Sequence, residues 1–345
     1  MKVGIIGANG YSGVELIRLL KQHPNVDIEM LISHSTSGKN VKELYPHLSE
    51  VCEKTLESID VQDVSDRVDL LFFATPSGVS QGLVPKFINK GVPCIDLSGD
   101  FRLKDPDAYT KWYQKQGADR SDLEQAVYGL AEINHKEIKE AKLIANPGCY
   151  PTASLLGILP AIKMGITQPD TLIIDGKSGI SGAGRGVSIG SHFCEVNENI
   201  KAYKLGSHQH IPEIEQTIQD NAGIDTNISF SPHLVPMTRG IMCTIYADLK
   251  QQLSTEEIVG YYKDFYHKSH FVRVREPGVW PATKEVYGSN YCDIGLIADS
   301  RTNRLTVVSV IDNVVKGASG QAVQNMNLLN GWDEWTGLNL TPVYP

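Results

Sequence analysis

One cysteine stands where a short apolar strand turns through Pro-Gly into a helix, in Ile144-Ala145-Asn146-Pro147-Gly148-Cys149-Tyr150-Pro151-Thr152. A free thiol titrates near pH 8.5, so only about 3 % of it is thiolate at pH 7, but the N–H groups and positive dipole end of a helix N-terminus favour the anion. Cys149 is therefore a candidate nucleophile; the competing reading is a small residue packed under the helix. A second cluster is Gly206-Ser207-His208-Gln209-His210-Ile211-Pro212-Glu213, two histidines one residue apart before a Pro-Glu helix start. Histidine is the usual general acid/base because its pKa lies near neutrality. Two other readings stay open: solvated loop histidines or, with His192, Cys194 and Glu195, metal ligands, although the spacing matches no familiar zinc pattern.

A third constellation would hold a ligand rather than react. Lys2–Ile6 is a short apolar strand that runs into Gly7-Ala8-Asn9-Gly10-Tyr11-Ser12-Gly13 and then an amphipathic stretch over 14–20. Glycines let the backbone turn tightly and approach a pyrophosphate seated on the helix N-terminus. The first interval is one residue wider than in G-x-G-x-x-G, so a plain strand-to-helix turn competes with a dinucleotide loop over Gly7, Asn9, Gly10, Tyr11, Ser12 and Gly13. After the next strand, 26–32, the acidic residue that takes a ribose 2′-hydroxyl is missing, and Ser33-His34-Ser35-Thr36-Ser37-Gly38-Lys39 stands there. The hydroxyls and ammonium of Ser33, Ser35 and Lys39 suit a 2′-phosphate, which favours NADP over NAD; a solvated polar loop reads the same way.

These groups need a scaffold, and the rest of the chain supplies its pattern. Apolar strands at 70–74 and 92–97 with a helix at 77–90 continue the alternation, which argues a doubly wound, Rossmann-like parallel sheet in an α/β fold. Ligands of such sheets bind beyond the carboxyl ends of the strands, where Thr75, Pro76 and Arg102 fall. The planar fork of Arg102 suits a substrate phosphate; an ion pair with Asp96 or Asp100 accounts for it equally. The helix after Cys149 runs over 150–163. Beyond it, strands at 171–176, 228–234, 240–249, 291–299 and 305–312 alternate with fewer helices, chiefly 254–267, which reads as an α+β domain on a mixed sheet. The stretch 177–186, with Ser178, Gly179 and Arg185, is too glycine-rich for an element interior, so it is either a loop that closes over a ligand or a plain surface loop. The small residues of 312–326 read as a closely packed helix, with Asn313 and Lys316 at its start, returning to the first domain. The division expected is 1–148 with 313–345 for the nucleotide and 149–312 for a second domain, the part that the family resemblance set out below implies for catalysis and dimerisation.

Composition narrows the function classes. The 345 residues are 41 % hydrophobic and 21 % charged, ordinary globular usage and enough for two domains. A net charge of −8 leaves no basic footprint for nucleic acid or an anionic membrane. Six scattered cysteines without a C-x-x-C pair favour reduced thiols in a cytoplasmic protein, and no stretch approaches the ~20 apolar residues of a membrane span. A small-molecule substrate is the expectation.

The segments 7–13, 146–152, 182–185, 208–213 and 312–322 together resemble the N-acetyl-γ-glutamyl-phosphate reductase family of arginine biosynthesis, over nearly the whole chain. The Asn-Pro-Gly-Cys-Tyr-Pro-Thr and His-x-His-x-Pro-Glu blocks are specific, whereas the wider clan of aspartate-semialdehyde dehydrogenases shares only their arrangement. The resemblance implies NADPH as hydride donor, Cys149 as a nucleophile that forms a thioester, and a histidine of the block as acid/base, His210 in preference to His208. It further implies Arg102 and, more loosely, Arg185 and Arg239 on phosphate and carboxylate, with Asn146 and His208 also at the substrate and Glu213 either orienting the imidazole or meeting the substrate amide. Ser178, Gly179 and Asn313 join the cofactor set, no metal is involved, and the protein is a homodimer or homotetramer. Two rivals are a carrier-linked aminoadipyl-phosphate reductase of lysine biosynthesis, disfavoured because −8 opposes an acidic carrier, and a non-catalytic NADP sensor.

Overall fold

Uninterrupted apolar strands such as Leu70-Leu71-Phe72-Phe73 belong in a parallel sheet covered on both faces, and the computed structural model, which describes residues 1–344, contains one. The chain divides into two units, Met1–Pro147 with Ala318–Asn339, and Gly148–Gly317 with the segment from Leu340. Against the expected division, residues 313–317 lie in the second unit, where Asn313 bonds Gly240 and Gly317 lies against Cys149. The last residues rejoin it too, Val343 N–H donating to the Tyr287 carbonyl at 2.9 Å.

In the first unit, β1 (Lys2–Ile6), β2 (Asp27–Ile32), β3 (Leu56–Glu57), β4 (Leu70–Phe73), β5 (Cys94–Asp96), β6 (Ala126–Tyr128) and β7 (Leu143–Ala145) form one parallel sheet. Their order is β3-β2-β1-β4-β5-β7-β6. It reverses between β1 and β4, the place where sheets of this kind take their ligand. Ile6, Met30, Phe73 and Phe87 belong to one apolar cluster. Helix α1 (Tyr11–Leu20) and the C-terminal helix Gly320–Leu329 pack on each other and on the sheet. The helix expected over 77–90 is split. Gly78 turns at φ +91°, a 3₁₀ turn spans Ser80–Gly82, and Pro85 sits in the first turn of a separate helix, Val84–Ile88.

The second unit holds a mixed sheet of β8 (Ile173–Ser178), β9 (Lys201–Ala202), β10 (Ser229–Leu234), β11 (Ile241–Asp248), β12 (Val272–Val274), β13 (Cys292–Asp299) and β14 (Arg304–Ile311), in the order β12-β13-β14-β11-β8-β10-β9. Lys177 and Ser178, expected in a loop, complete β8 because both edges of that strand are paired, with His233 and Leu234 on one side and Met242 and Ile241 on the other. Burial alternates along β11, and its inward residues Ile241, Cys243 and Ile245 belong to the core. Helix α2 (Cys149–Lys163) packs on β11 and β14 and is flanked by α3 (His210–Ala222) and α4 (Thr255–Phe265).

Helix α2 is apolar on every side, as a central helix must be. Gly157 lets it lie close to the sheet, since a Cβ there would come within 2.7 Å of Ile245 Cδ1. Pro160 lies inside the helix and has no N–H for the Leu156 carbonyl four residues back. The Tyr266 hydroxyl donates to that carbonyl at 2.6 Å, and Tyr262 donates to the Gly157 carbonyl at 2.8 Å. Among the described residues no helix is long and apolar enough to cross a membrane. Replacing Tyr266 by Phe leaves a buried carbonyl unsatisfied and should lower unfolding free energy by about 1–3 kcal/mol; an unchanged urea midpoint would contradict this account of the proline.

Candidate active site

Cys149 is the first residue of α2, and the preceding Gly148 caps the helix in an extended conformation without a side chain of its own. Gly148 is therefore held by groups from elsewhere in the unit. Gly148 N–H donates to Glu213 Oε1 at 2.8 Å, and Glu213 is fully buried in the first turn of α3. The Gly148 carbonyl accepts both the N–H and the hydroxyl of Thr152, each at 2.9 Å. Pro151 has no N–H, and helix geometry directs those of Cys149 and Tyr150 out of the N-terminal end. Gly317 closes the other side, where a Cβ would stand 2.8 Å from Cys149 Cβ.

All six cysteines are free thiols, and Cys149 is half-buried. Burial pushes Cys243 up to about 12 and Cys94 well above the usual range, so both stay protonated. Cys194 is exposed and Cys149, at the helix end, is the half-buried one.

The two histidines occupy different environments. His208 is 2 % exposed and packs with ring centres 5.4 Å from Tyr203, 5.7 Å from Tyr150 and 5.3 Å from Phe230. The His210 backbone N–H donates to His208 Nδ1 at 3.1 Å, so the neutral ring carries its proton on Nε2. Burial first, and then the Lys204 charge, lower its pKa to about 3. His208, expected at the substrate, is a neutral post that holds the start of α3. His210 opens α3, 8 % exposed, its ring centre 4.7 Å from that of His208 and 6.1 Å from that of Tyr150. Tyr150 anchors the cluster by donating to the His233 carbonyl at 3.0 Å. His192, Cys194 and Glu195 are exposed, and among the described residues no group of three or more His, Cys, Asp or Glu is placed to hold a metal.

Asn313, expected at the cofactor, is engaged within the second unit. Its Oδ1 accepts Gly240 N–H at 2.7 Å and its Nδ2 donates to Ser181 Oγ at 2.9 Å, which fixes the glycine-rich loop. Gly179 lies so close to that neighbour that a Cβ would meet the Thr238 carbonyl oxygen at 2.7 Å. Ser178 is buried, Arg185 is exposed, and Arg239 Nη1 is 3.6 Å from the buried carboxylate of Asp312.

In the first unit, Gly7 turns at φ +86°, and a Cβ there would lie 2.3 Å from the Ala74 carbonyl oxygen. Gly13 has no more room, with Gly7 O at 2.4 Å from the same position. Gly10 N–H bonds back to Gly7 O at 3.1 Å. Asn9 Nδ2 donates to Ser35 Oγ at 3.1 Å, joining the glycine turn to the loop after β2, and Ser33 Oγ pairs with Thr36 Oγ1 at 2.8 Å. Tyr11 and Lys39 are exposed, and the Ser12 carbonyl accepts Ser319 Oγ at 2.9 Å. Beside the exposed Pro76, Thr75 Oγ1 is buried with no hydrogen-bond partner. A backbone cradle that admits no Cβ, followed by an unsatisfied hydroxyl at the end of β4, fits a dinucleotide.

Arg102 and Asn146 are held deeper than expected. Arg102 is 9 % exposed, with Nε donating to the Asn146 carbonyl at 2.8 Å and Nη2 to that of Leu97 at 2.9 Å. The Asn146 side chain is fully buried, donating to Ala318 O at 3.1 Å and accepting Asn325 Nδ2 at 3.0 Å. Sequence reasoning missed Tyr203 and Gly317. The first has no distinguishing spacing, and the second is one small residue among several in 312–322.

Residues 2–141 match the NAD binding domain of the semialdehyde dehydrogenases and residues 149–313 match their dimerisation domain. The N-acetyl-gamma-glutamyl-phosphate reductase of Geobacillus sp. strain WCH70 is 56 % identical over 345 residues, covering all of both chains. That of Bacillus subtilis strain 168 is 51 % identical over 346 residues, again covering both in full. The chain belongs to the N-acetyl-gamma-glutamyl-phosphate reductase family. A crystal structure of aspartate semialdehyde dehydrogenase II complexed with ASA from Vibrio cholerae shares the fold, with a TM-score of 0.73 at 17 % identity, covering 96 % of this chain and 98 % of that one.

The lowered pKa of His208 has a measurable consequence for this family member. The unfolded chain takes up a proton near pH 6.5 that the folded ring refuses until about 3, so the stabilisation is present above 6.5 and lost as pH falls through that window. Relative to His208→Gln, the parent chain should lose up to about 1.4 kcal/mol per pH unit there. Parallel stability curves from urea denaturation would contradict it.

Proposed function

We propose that this chain reduces N-acetyl-L-glutamyl 5-phosphate to N-acetyl-L-glutamate 5-semialdehyde and phosphate, in arginine biosynthesis, with NADPH as the reductant. One observation carries the reading: identity above one half, over the full length, to reductases of that name, in a chain whose half-buried thiol opens a helix.

Cys149 as thiolate attacks the acyl carbon, the C–O bond to phosphate breaks, and a thioester remains on Sγ. The helix-end N–H groups of Cys149 and Tyr150 suit the developing oxyanion, a contribution typically worth ~3 kcal/mol per donor. His210 accepts the thiol proton as the thiolate forms, before attack. When bound, NADPH supplies a hydride to the acyl carbon. His210 then returns the proton to sulfur as the C–S bond breaks and the aldehyde leaves. The reading gives proton transfer to His210 and not to His208, whose Nδ1 already accepts the His210 N–H and whose burial opposes a charged ring. Glu213 fixes the backbone before the nucleophile by accepting the Gly148 N–H.

Gly7, Asn9, Gly10, Tyr11, Ser12, Gly13, Thr75 and Pro76 would hold the dinucleotide, and Ser33, Ser35 and Lys39 its 2′-phosphate, since no acidic residue follows β2 to hydrogen-bond a free 2′-hydroxyl. Arg102, Arg185 and Arg239 are the cations for the substrate's phosphate and carboxylate. A homodimer or homotetramer in the cytoplasm agrees with the dimerisation-domain match and the free thiols.

The test follows NADPH oxidation with the free acyl phosphate. His210→Ala should lose ~10²-fold or more in kcat, Cys149→Ser should be inactive, and NADH should substitute poorly. Full activity in Cys149→Ser, or turnover only of a carrier-linked aminoadipyl phosphate, would refute the proposal.

A further inference from the structure

The loop after β4 begins with the unpartnered Thr75 Oγ1 and ends at Gln81, whose Oε1 is likewise buried without a partner. It contains no regular hydrogen-bonded element before the 3₁₀ turn at Ser80. Its shape comes from a residue on the neighbouring loop. Asp100, which follows β5, is 1 % exposed, and its carboxylate accepts four hydrogen bonds. Oδ1 takes Gly78 N–H at 2.6 Å and the Tyr109 hydroxyl at 2.7 Å; Oδ2 takes Ser80 Oγ at 2.9 Å and Gln81 N–H at 3.1 Å. The Ser98 hydroxyl braces it by accepting Asp100 N–H at 3.1 Å and pairing with Ser80 Oγ at 2.8 Å.

Three of the four donors belong to the β4 loop, and hydrogen bonds to an ionised acceptor are about twice as strong as neutral ones. The fourth, from the stacked ring of Tyr109, holds the carboxylate in its rotamer. Because the sheet order reverses between β1 and β4, this loop stands on the β4 side of the crevice whose other side is the glycine turn. We propose that Asp100 is a positioning residue, a buried carboxylate that sets the loop from Thr75 to Gln81 in the form that receives the nicotinamide dinucleotide. The inference rests on the reading of the first unit as the NADPH site and adds to it the group that shapes one wall.

An amide at this position can accept on only one of its two atoms, so Asp100→Asn keeps either the pair on Oδ1 or the pair on Oδ2 and loses the other. The experiment titrates NADPH into the full-length protein by calorimetry and measures, on the same samples, the rate at which iodoacetamide alkylates Cys149. Asp100→Asn should weaken NADPH binding by about tenfold or more and raise KM for NADPH, with KM for the acyl phosphate and the alkylation rate unchanged. Ser80→Ala, which removes one donor and keeps the carboxylate, should move Kd the same way by a smaller factor; it carries the test alone if Asp100→Asn does not fold. A folded variant pair that binds NADPH as the parent does overturns the inference and leaves the reading of the unit standing. A parent chain that binds no NADPH overturns both.

Discussion

The first turn of α2 is the constraint on which the chemistry depends. A helix leaves its first N–H groups without partners inside the helix, and here that end carries Cys149, the nucleophile proposed above. The fully buried Glu213 carboxylate takes the Gly148 N–H, and Thr152 holds the Gly148 carbonyl with two bonds, so the residue before Cys149 is fixed on both of its polar groups. The absence of a side chain at Gly317 leaves the thiol its place. Further along, Tyr266 repairs the carbonyl that Pro160 deprives of a donor, which keeps the helix intact. In the proposed reaction a thiol set this way would lose little freedom when substrate binds, which is how a rigid frame lowers a barrier.

Two imidazoles separated by one residue stand in different environments. His208 is enclosed by Tyr150, Tyr203 and Phe230 and accepts a backbone N–H, which fixes its tautomer and excludes charge. His210 sits on the first turn of α3, the same helix that supplies Glu213. One short segment therefore carries the support for the thiol's helix and the imidazole proposed for its proton.

Much of the frame was legible where the pattern is long. The strands β1, β4, β11, β13 and β14 are apolar or cleanly alternating, and their bounds fall within a residue or two of the reading. β3 and β6 have two and three residues, too few for a period to show. The helix read over 77–90 fails because Asp100, some twenty residues on, draws the N–H groups of Gly78 and Gln81 away from a helical ladder. Asn146 and Asn313 enter the expected site only through the family resemblance, and the contacts that hold them in the fold were not legible in the sequence. Their partners, Ala318 and Asn325 for one and Gly240 and Ser181 for the other, lie far off in the chain, where spacing carries no signal. Cys149 and the histidine block stood out because chemistry, not packing, selects those residue types; the partner of Glu213, sixty-five residues away, could not be read from them.

The most direct measurement of the central claim is intact and peptide mass spectrometry of the protein mixed with N-acetylglutamyl 5-phosphate in the absence of NADPH. The account predicts one N-acetylglutamyl adduct per chain, on the peptide carrying Cys149 and discharged when NADPH is added. An unmodified Cys149 in protein that still turns over the acyl phosphate, or an adduct on a different cysteine, would contradict it.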